Sequence, residues 1–172
     1  DIVTGGNKYR RIKKNAATYT STYFTYYQWK SETEYHYFKY QPIKWRVLSV
    51  NGTEVFLLAD KVLDNRQYHT KYEPVTWEGS TIRSWLDGYG ASYNIQNNDC
   101  SRKNFINTAF GIPGQQVIKE TFVENKNNLN YGTDGGNNTK DKIFLLSESE
   151  IYTDAAKLYG FVSGYDKEDK AC

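Results

Sequence analysis

An α+β fold is predicted by three features of this sequence. Residues 43–59 alternate apolar and polar positions around an Asn51-Gly52 turn, the pattern of a β-hairpin. Two short segments carry apolar residues at helical spacing behind good caps, beginning at Ser80 and at Ser147. A continuous apolar run at residues 143–146 leads directly into the second of these helices, as a buried strand would. Together they give a small antiparallel or mixed sheet flanked by short helices. With 172 residues there is enough chain for one domain with a real core. The organisation expected is an aromatic-rich hairpin or arm over residues 1–40 and an α+β core over residues 41–172.

Ten of the chain's 28 aromatic residues fall between positions 19 and 40. Tyr19, Tyr23, Phe24, Tyr26, Tyr27 and Trp29 are interleaved with threonines, which favours a strand. Residues 30–33 would turn the chain and residues 35–40 would return it. Tyrosine offers a flat apolar face and a polar tip, so Tyr23, Tyr26, Tyr27, Trp29 and Tyr37 are the candidate ligand platform, able to stack sugar rings or dock a protein. The competing expectation is a hairpin whose aromatics cover its own sheet.

In the next hairpin a two-residue Asn51-Gly52 loop would set Trp45 against Leu58 and Val47 against Phe56, leaving one strongly apolar face to be covered. Ser80 then caps a short helix whose apolar face is Ile82, Trp85, Leu86 and Tyr89, ending at Asp87-Gly88. Arg83, opposite that face, is expected to pair with Glu78 or Asp87. A second helix is expected over residues 101–110, stopped by Gly111-Ile112-Pro113-Gly114, followed by a strand over residues 117–123. Residues 125–140, rich in Asn and Gly, read as a surface loop. After residues 143–146, Ser147 and Glu150 form a capping box for a helix carrying Ile151, Ala155, Leu158 and Tyr159 and ending at Gly160.

Twenty-two basic against 20 acidic residues give a net charge of +2, far from the clustered positive field of a nucleic-acid binder. No stretch approaches the length and apolarity of a membrane span. The chain has no methionine, so a segment preceding Asp1 is expected, and a cleaved export signal would account for it. Cys100 and Cys172 have neither metal-ligand nor thioredoxin-like spacing, and the sequence leaves open whether they are bridged.

Catalytic signatures are missing. There is no Gly-x-Ser-x-Gly, phosphate-binding glycine loop, dinucleotide fingerprint or His-Glu-x-x-His. His36 and His69 each lack a sequence-evident partner and read as packing or surface residues. Asp134 and Asn137 in the Asn/Gly loop, with Asp141 directly after it, offer oxygen ligands for calcium, although their spacing matches no defined calcium loop, and no other cofactor is implied.

Four ordered motifs carry a family resemblance. They are Pro-Ile-Lys-Trp-Arg-Val-Leu at residues 42–48, Trp77-x-x-Ser80-x-Ile82-Arg83-x-Trp85-Leu86, Ala109-Phe110, and Asp141-Lys142-Ile143-Phe144-Leu145-Leu146-Ser147 with Glu150. In this the chain resembles, over residues 40–152, the bacterial family known as domain of unknown function 6273. That family occurs in exported, often multidomain surface proteins of Gram-positive bacteria, many from the gut. The resemblance therefore implies an extracellular or surface-attached protein. Family members continue with a Trp-Trp-Leu-Arg-Ser-Pro segment and closing strands, which are not present before Cys172, so a truncated domain is expected. More weakly, the layout is similar to the C-type-lectin-like and formylglycine-generating folds, though without the paired active-site cysteines of those enzymes.

The function expected is a non-enzymatic binding or adhesion module, with carbohydrate or cell-wall glycan as ligand and a surface protein as the competing partner. The alternatives are a hydrolase working through a carboxylate pair, with 20 acids to draw from, and a structural spacer.

Overall fold

The computed structural model describes residues 1–13, 35–128, 130–152 and 159–161. It is α+β, with small antiparallel sheets and short helices, and divides into two compact units, Asp1–Lys44 and Trp45–Cys172.

In the first unit, β1 (Ile2–Thr4), β2 (Asn7–Lys13) and β3 (Tyr35–Lys39) form a three-stranded antiparallel sheet in chain order. Gly5 and Gly6, at φ 53° and 74°, supply the two positive dihedrals of the tight β1–β2 turn. The returning strand expected over residues 35–40 is present as β3. It pairs with β2, placing Arg11 opposite Tyr37 and Tyr9 opposite Lys39. The arm carrying Tyr23, Tyr26, Tyr27 and Trp29 lies outside the described residues.

The second unit opens with the expected hairpin, β4 (Trp45–Asn51) and β5 (Glu54–Ala59), but its register is different. Asn51 pairs with Glu54, so the loop is Gly52-Thr53, with Gly52 at φ 59° in the first central position as in a type II′ turn. A bulge at Leu48 then sets Trp45 against Ala59 and Val47 against Leu57. Of the face expected to be covered, Trp45 stacks on Phe110 with ring centroids 6.1 Å apart, Phe56 stacks on Phe144 at 5.7 Å and Leu58 is half-buried, whereas Val47 is exposed, as is its cross-strand partner Leu57. Leu48, on the bulge, is the buried residue of this strand.

Helix α1 (Thr81–Asp87) follows the sequence expectation, and its first-turn amide donors can be accounted for one by one. Thr81 N–H donates to His69 Nδ1 (3.2 Å), Ile82 N–H to the Tyr68 carbonyl (3.1 Å) and Arg83 N–H to Ser80 Oγ (3.3 Å). The intrahelical ladder begins at Ser84 N–H, which reaches the Ser80 carbonyl. Gly88 closes the helix at φ 74°, and any Cβ there would lie 2.7 Å from Asn104 Nδ2, so both conformation and space require glycine.

Helix α2 is shorter than expected, Phe105–Ala109, because Asn104 caps it by accepting from Asn107 N–H (2.8 Å). The Gly111-Ile112-Pro113-Gly114 segment, expected to end the helical region, starts a further helix, α3 (Ile112–Val117). Proline is well suited to a first helical turn, where its missing N–H costs nothing. The strand sought within residues 117–123 is only β6 (Thr121–Val123), and it pairs with β7 (Thr139–Asp141).

Residues 143–146 are not a strand. Their backbone is held from the side: Asp87 Oδ1 accepts from Lys142 N–H (2.9 Å) and Ile143 N–H (3.1 Å). Ile143 and Phe144 still pack on the core of Trp77, Ile82 and Leu86, along with Trp85, Phe105 and Val123. The apolar run thus marked Ile143 and Phe144 as core-packing residues, but Leu145 is exposed and the backbone is not a strand. The capping box closes as expected before α4 (Glu148–Tyr152), with Ser147 N–H donating to Glu150 Oε2 (2.8 Å) and Glu150 N–H to Ser147 Oγ (3.3 Å). Gly160 is at φ 77°, and Ala155 and Leu158 lie outside the described residues.

Candidate functional site

Asp141, the last residue of β7, is fully buried, and four side-chain donors converge on it. Arg83 Nε (2.8 Å) and Tyr89 OH (3.1 Å) donate to Oδ1, and Trp77 Nε1 (2.8 Å) and Thr139 Oγ1 (2.6 Å) to Oδ2. Arg83, also buried, sends a second donor to the Glu78 carbonyl at 3.1 Å, and its guanidinium lies 4.9 Å from the centre of the Tyr89 ring. The expected partners of Arg83, the Glu78 and Asp87 carboxylates, are therefore replaced by Asp141, 58 positions away in sequence. A buried charge needs a partner and filled hydrogen-bonding capacity. This one has both, and it ties the 77–89 helix segment to the strand that follows the Asn/Gly loop.

Asp87 lies close by in very different surroundings. Its Oδ1 takes the two backbone amides of residues 142 and 143, but Oδ2 is buried with no hydrogen-bond partner among the described residues. Burial raises its pKa to about 7. The negative charge of Asp141 adds to this, and the two backbone amides and Arg83 only partly offset it. Asp87 lines a cleft of about 240 Å³ with Tyr89, Asn107, Gln115, Glu120 and Lys142. A carboxyl held at such a pKa can keep or release a proton near neutrality, the chemistry of a general acid.

In the first unit, the sheet face of β3 exposes Tyr35 and Tyr37, and Phe38 is exposed on the opposite face. Tyr37 is 56% exposed. Arg11 stands opposite Tyr37 and places its guanidinium 4.3 Å from the centre of the Tyr35 ring. Of the five residues read as a ligand platform, Tyr37 alone falls among the described residues, and it faces solvent.

The three candidate calcium ligands have different fates. Asp141 is turned inward with both oxygens engaged by protein donors. Asp134 Oδ1 accepts from Gly136 N–H (2.9 Å), and Asn137 Nδ2 donates to Glu78 Oε2 (2.9 Å). His69 is buried: its Nδ1 accepts from Thr81 N–H, so Nε2 carries the proton and donates to Glu73 Oε1 (3.1 Å). It is a helix-capping histidine. Cys100 has no disulfide partner among the described residues, and burial raises its thiol pKa. Sequence reasoning missed Asp87 as more than a helix terminus. The signal lay in its position immediately before Gly88, but only the fold brings residues 142–143 to it.

Residues 51–171 match the family model described as domain of unknown function (DUF6273). The chain belongs to that family. The match takes in the Trp77–Leu86, Ala109-Phe110 and Asp141–Glu150 motifs and begins after residues 42–48. Both halves of the buried Arg83–Asp141 pair lie within it, whereas the β1–β3 sheet lies wholly outside. No curated protein and no solved structure matches the chain. Among the described residues no helix is long and apolar enough to cross a membrane.

Proposed function

We propose that this chain is a non-enzymatic binding or adhesion module of an exported bacterial surface protein, with carbohydrate or cell-wall glycan as its ligand. The observation that carries this reading is the exposed aromatic face of β3, where Tyr37 presents its ring to solvent beside Tyr35. Exposed tyrosines on a regular strand give stacking surface at low entropic cost. The DUF6273 segment, by contrast, commits Arg83, Trp77 and Asp141 to a buried internal cluster.

The test is binding of the chain to a glycan and cell-wall panel, with calcium present and then chelated. Wild type is compared with Tyr37→Ala and with a triple alanine variant at Tyr26, Tyr27 and Trp29. Glycan binding lost in these variants is the expected outcome. Wild type that retains no glycan under either condition overturns the proposal.

A second reading has its own observation. Asp87, with a pKa of about 7, shares a cleft with Glu120, as an acid and a base or nucleophile would in a carboxylate-pair hydrolase. Hydrolysis of an oligosaccharide by wild type, abolished by both Asp87→Asn and Glu120→Gln, would replace the binding reading with this one.

A further inference from the structure

We propose that the β2–β3 sheet face is specific for an anionic polysaccharide, one bearing carboxylate or phosphate groups, rather than for a neutral glycan. This rests on the glycan-binding reading and narrows it.

Three observations on the first unit carry it. The first is the charge balance: residues 1–44 hold eight of the 22 Lys and Arg residues but only three of the 20 Asp and Glu residues. The remainder of the chain, with 14 basic and 17 acidic residues, is net negative. A chain that looks nearly neutral overall therefore concentrates positive charge in the unit with the exposed aromatics.

The second is which cations are engaged. Lys8 and Arg10 point to one face of β2, where Asp1 pairs with both, at 3.1 and 3.6 Å, and Tyr40 OH donates to the same carboxylate. Arg11 alternates to the other face, with Tyr9, Tyr35, Tyr37 and Lys39. Neither Arg11 nor Lys39 has a carboxylate partner among the described residues. Both are exposed.

The third is how these groups are arranged. The Arg11 guanidinium is already laid over the Tyr35 ring, which holds its planar donors at the surface and reduces the freedom lost on binding. Lys39 sits two residues beyond Tyr37 on the same strand, roughly 7 Å along it. The Tyr37 ring thus lies between two cations. A sugar ring stacked on Tyr37 would carry its acidic substituent to Arg11 or Lys39, so the face reads both the ring and the charge of an acidic polysaccharide. Nucleic-acid binding rests on neutralising many phosphates with a longer row of cations than this face has.

The experiment is direct binding of the whole chain to four polymers: a neutral β-glucan, polygalacturonate, a phosphomannan and poly-U. Wild type is compared with the double variant Arg11→Gln/Lys39→Gln, with Tyr37→Ala, and with Lys71→Gln as an exposed control in the second unit, each first checked for native circular dichroism. The expected result is binding of polygalacturonate, the phosphomannan or both. That binding should weaken as salt rises, fall at least tenfold in the double variant and in Tyr37→Ala, and be unchanged in Lys71→Gln. The bound polymer tells whether carboxylate or phosphate is the preferred group. Binding of the neutral glucan as tightly as the acidic polymers, unaffected in the double variant, overturns the anionic assignment and leaves the glycan reading standing. Tighter binding of poly-U than of either acidic polymer overturns it in favour of nucleic acid. Failure to bind any of the four removes both readings.

Discussion

Asp87 and Asp141 are two carboxylates of the same unit, and the protein treats them in opposite ways. Asp141 is completely enclosed, with a guanidinium and three further side-chain donors directed at its oxygens. Asp87 keeps only two backbone amides, both on one oxygen, and its other oxygen is buried without a partner among the described residues. The difference teaches that burial by itself does not decide whether a carboxylate is structural. The number and charge of the donors brought to it do.

The strongest way to break this contrast is to remove one member of the enclosed pair. Arg83→Ala or Asp141→Ala leaves an uncompensated charge in the interior and should lower unfolding free energy by about 3–5 kcal/mol, read from denaturant midpoints. A loss under 1 kcal/mol would mean that the cluster is not what holds the helix and the strand together.

Asp87 gives the next largest effect, and its sign is opposite to that of an ordinary ion-paired aspartate. Its pKa is raised from 3.8 to about 7, so between those pH values the native state retains a proton that the unfolded chain has released. Its contribution to stability is complete below pH 4 and is lost as pH rises to about 7, on the order of 4 kcal/mol in all. Asp87→Asn keeps an oxygen for the amides of residues 142 and 143 and cannot ionise. The variant should lose this part of the pH dependence and match or exceed wild type at pH 8. Identical stability-versus-pH curves for the two proteins would show that Asp87 has the same pKa in the native and unfolded states.

Smaller effects come from the helix starts. Ser80 is buried, donates through Oγ to the Trp77 carbonyl and accepts from Arg83 N–H, so Ser80→Ala should cost about 1–2 kcal/mol. Ser147→Ala removes one arm of the capping box and should cost about 0.5–1 kcal/mol. Its clearest readout is faster amide exchange confined to α4. A uniform loss of protection across α1 as well would mean that the two helices unfold together.

Much of the second unit was legible one segment at a time. Ser80, Gly88 and the Ser147/Glu150 box are local rules that need only a few consecutive residues, and each appears where the sequence places it. Errors arose where a local pattern admitted two geometries. Asn51-Gly52 suits a turn, but moving the loop one residue to Gly52-Thr53 and inserting a bulge at Leu48 changed which side chains meet across β4 and β5. Pro113 reads equally as a stop or a start, and the chain uses it as a start. The apolar run at residues 143–146 identified Ile143 and Phe144 as core-packing residues but not the exposed Leu145, and the Asp87 carboxylate, more than 50 positions earlier, takes the amides of residues 142 and 143 where a strand partner was expected. For the candidate sites the division is similar. The aromatic excess pointed to the strand bearing Tyr37, while its pairing with β2, and hence the placing of Arg11 beside it, could not be read from spacing alone.

The sequence by itself determined the α+β class, the family, the caps at Ser80, Gly88 and Ser147 and part of the core, because each depends on short-range periodicity or on a contiguous motif. Only the tertiary structure decided that Arg83 closes on Asp141 rather than on Glu78 or Asp87, and that Asp87 holds its proton near neutrality. Those outcomes depend on which charges and donors meet across long stretches of chain once water has been excluded, and nothing local to either residue specifies that.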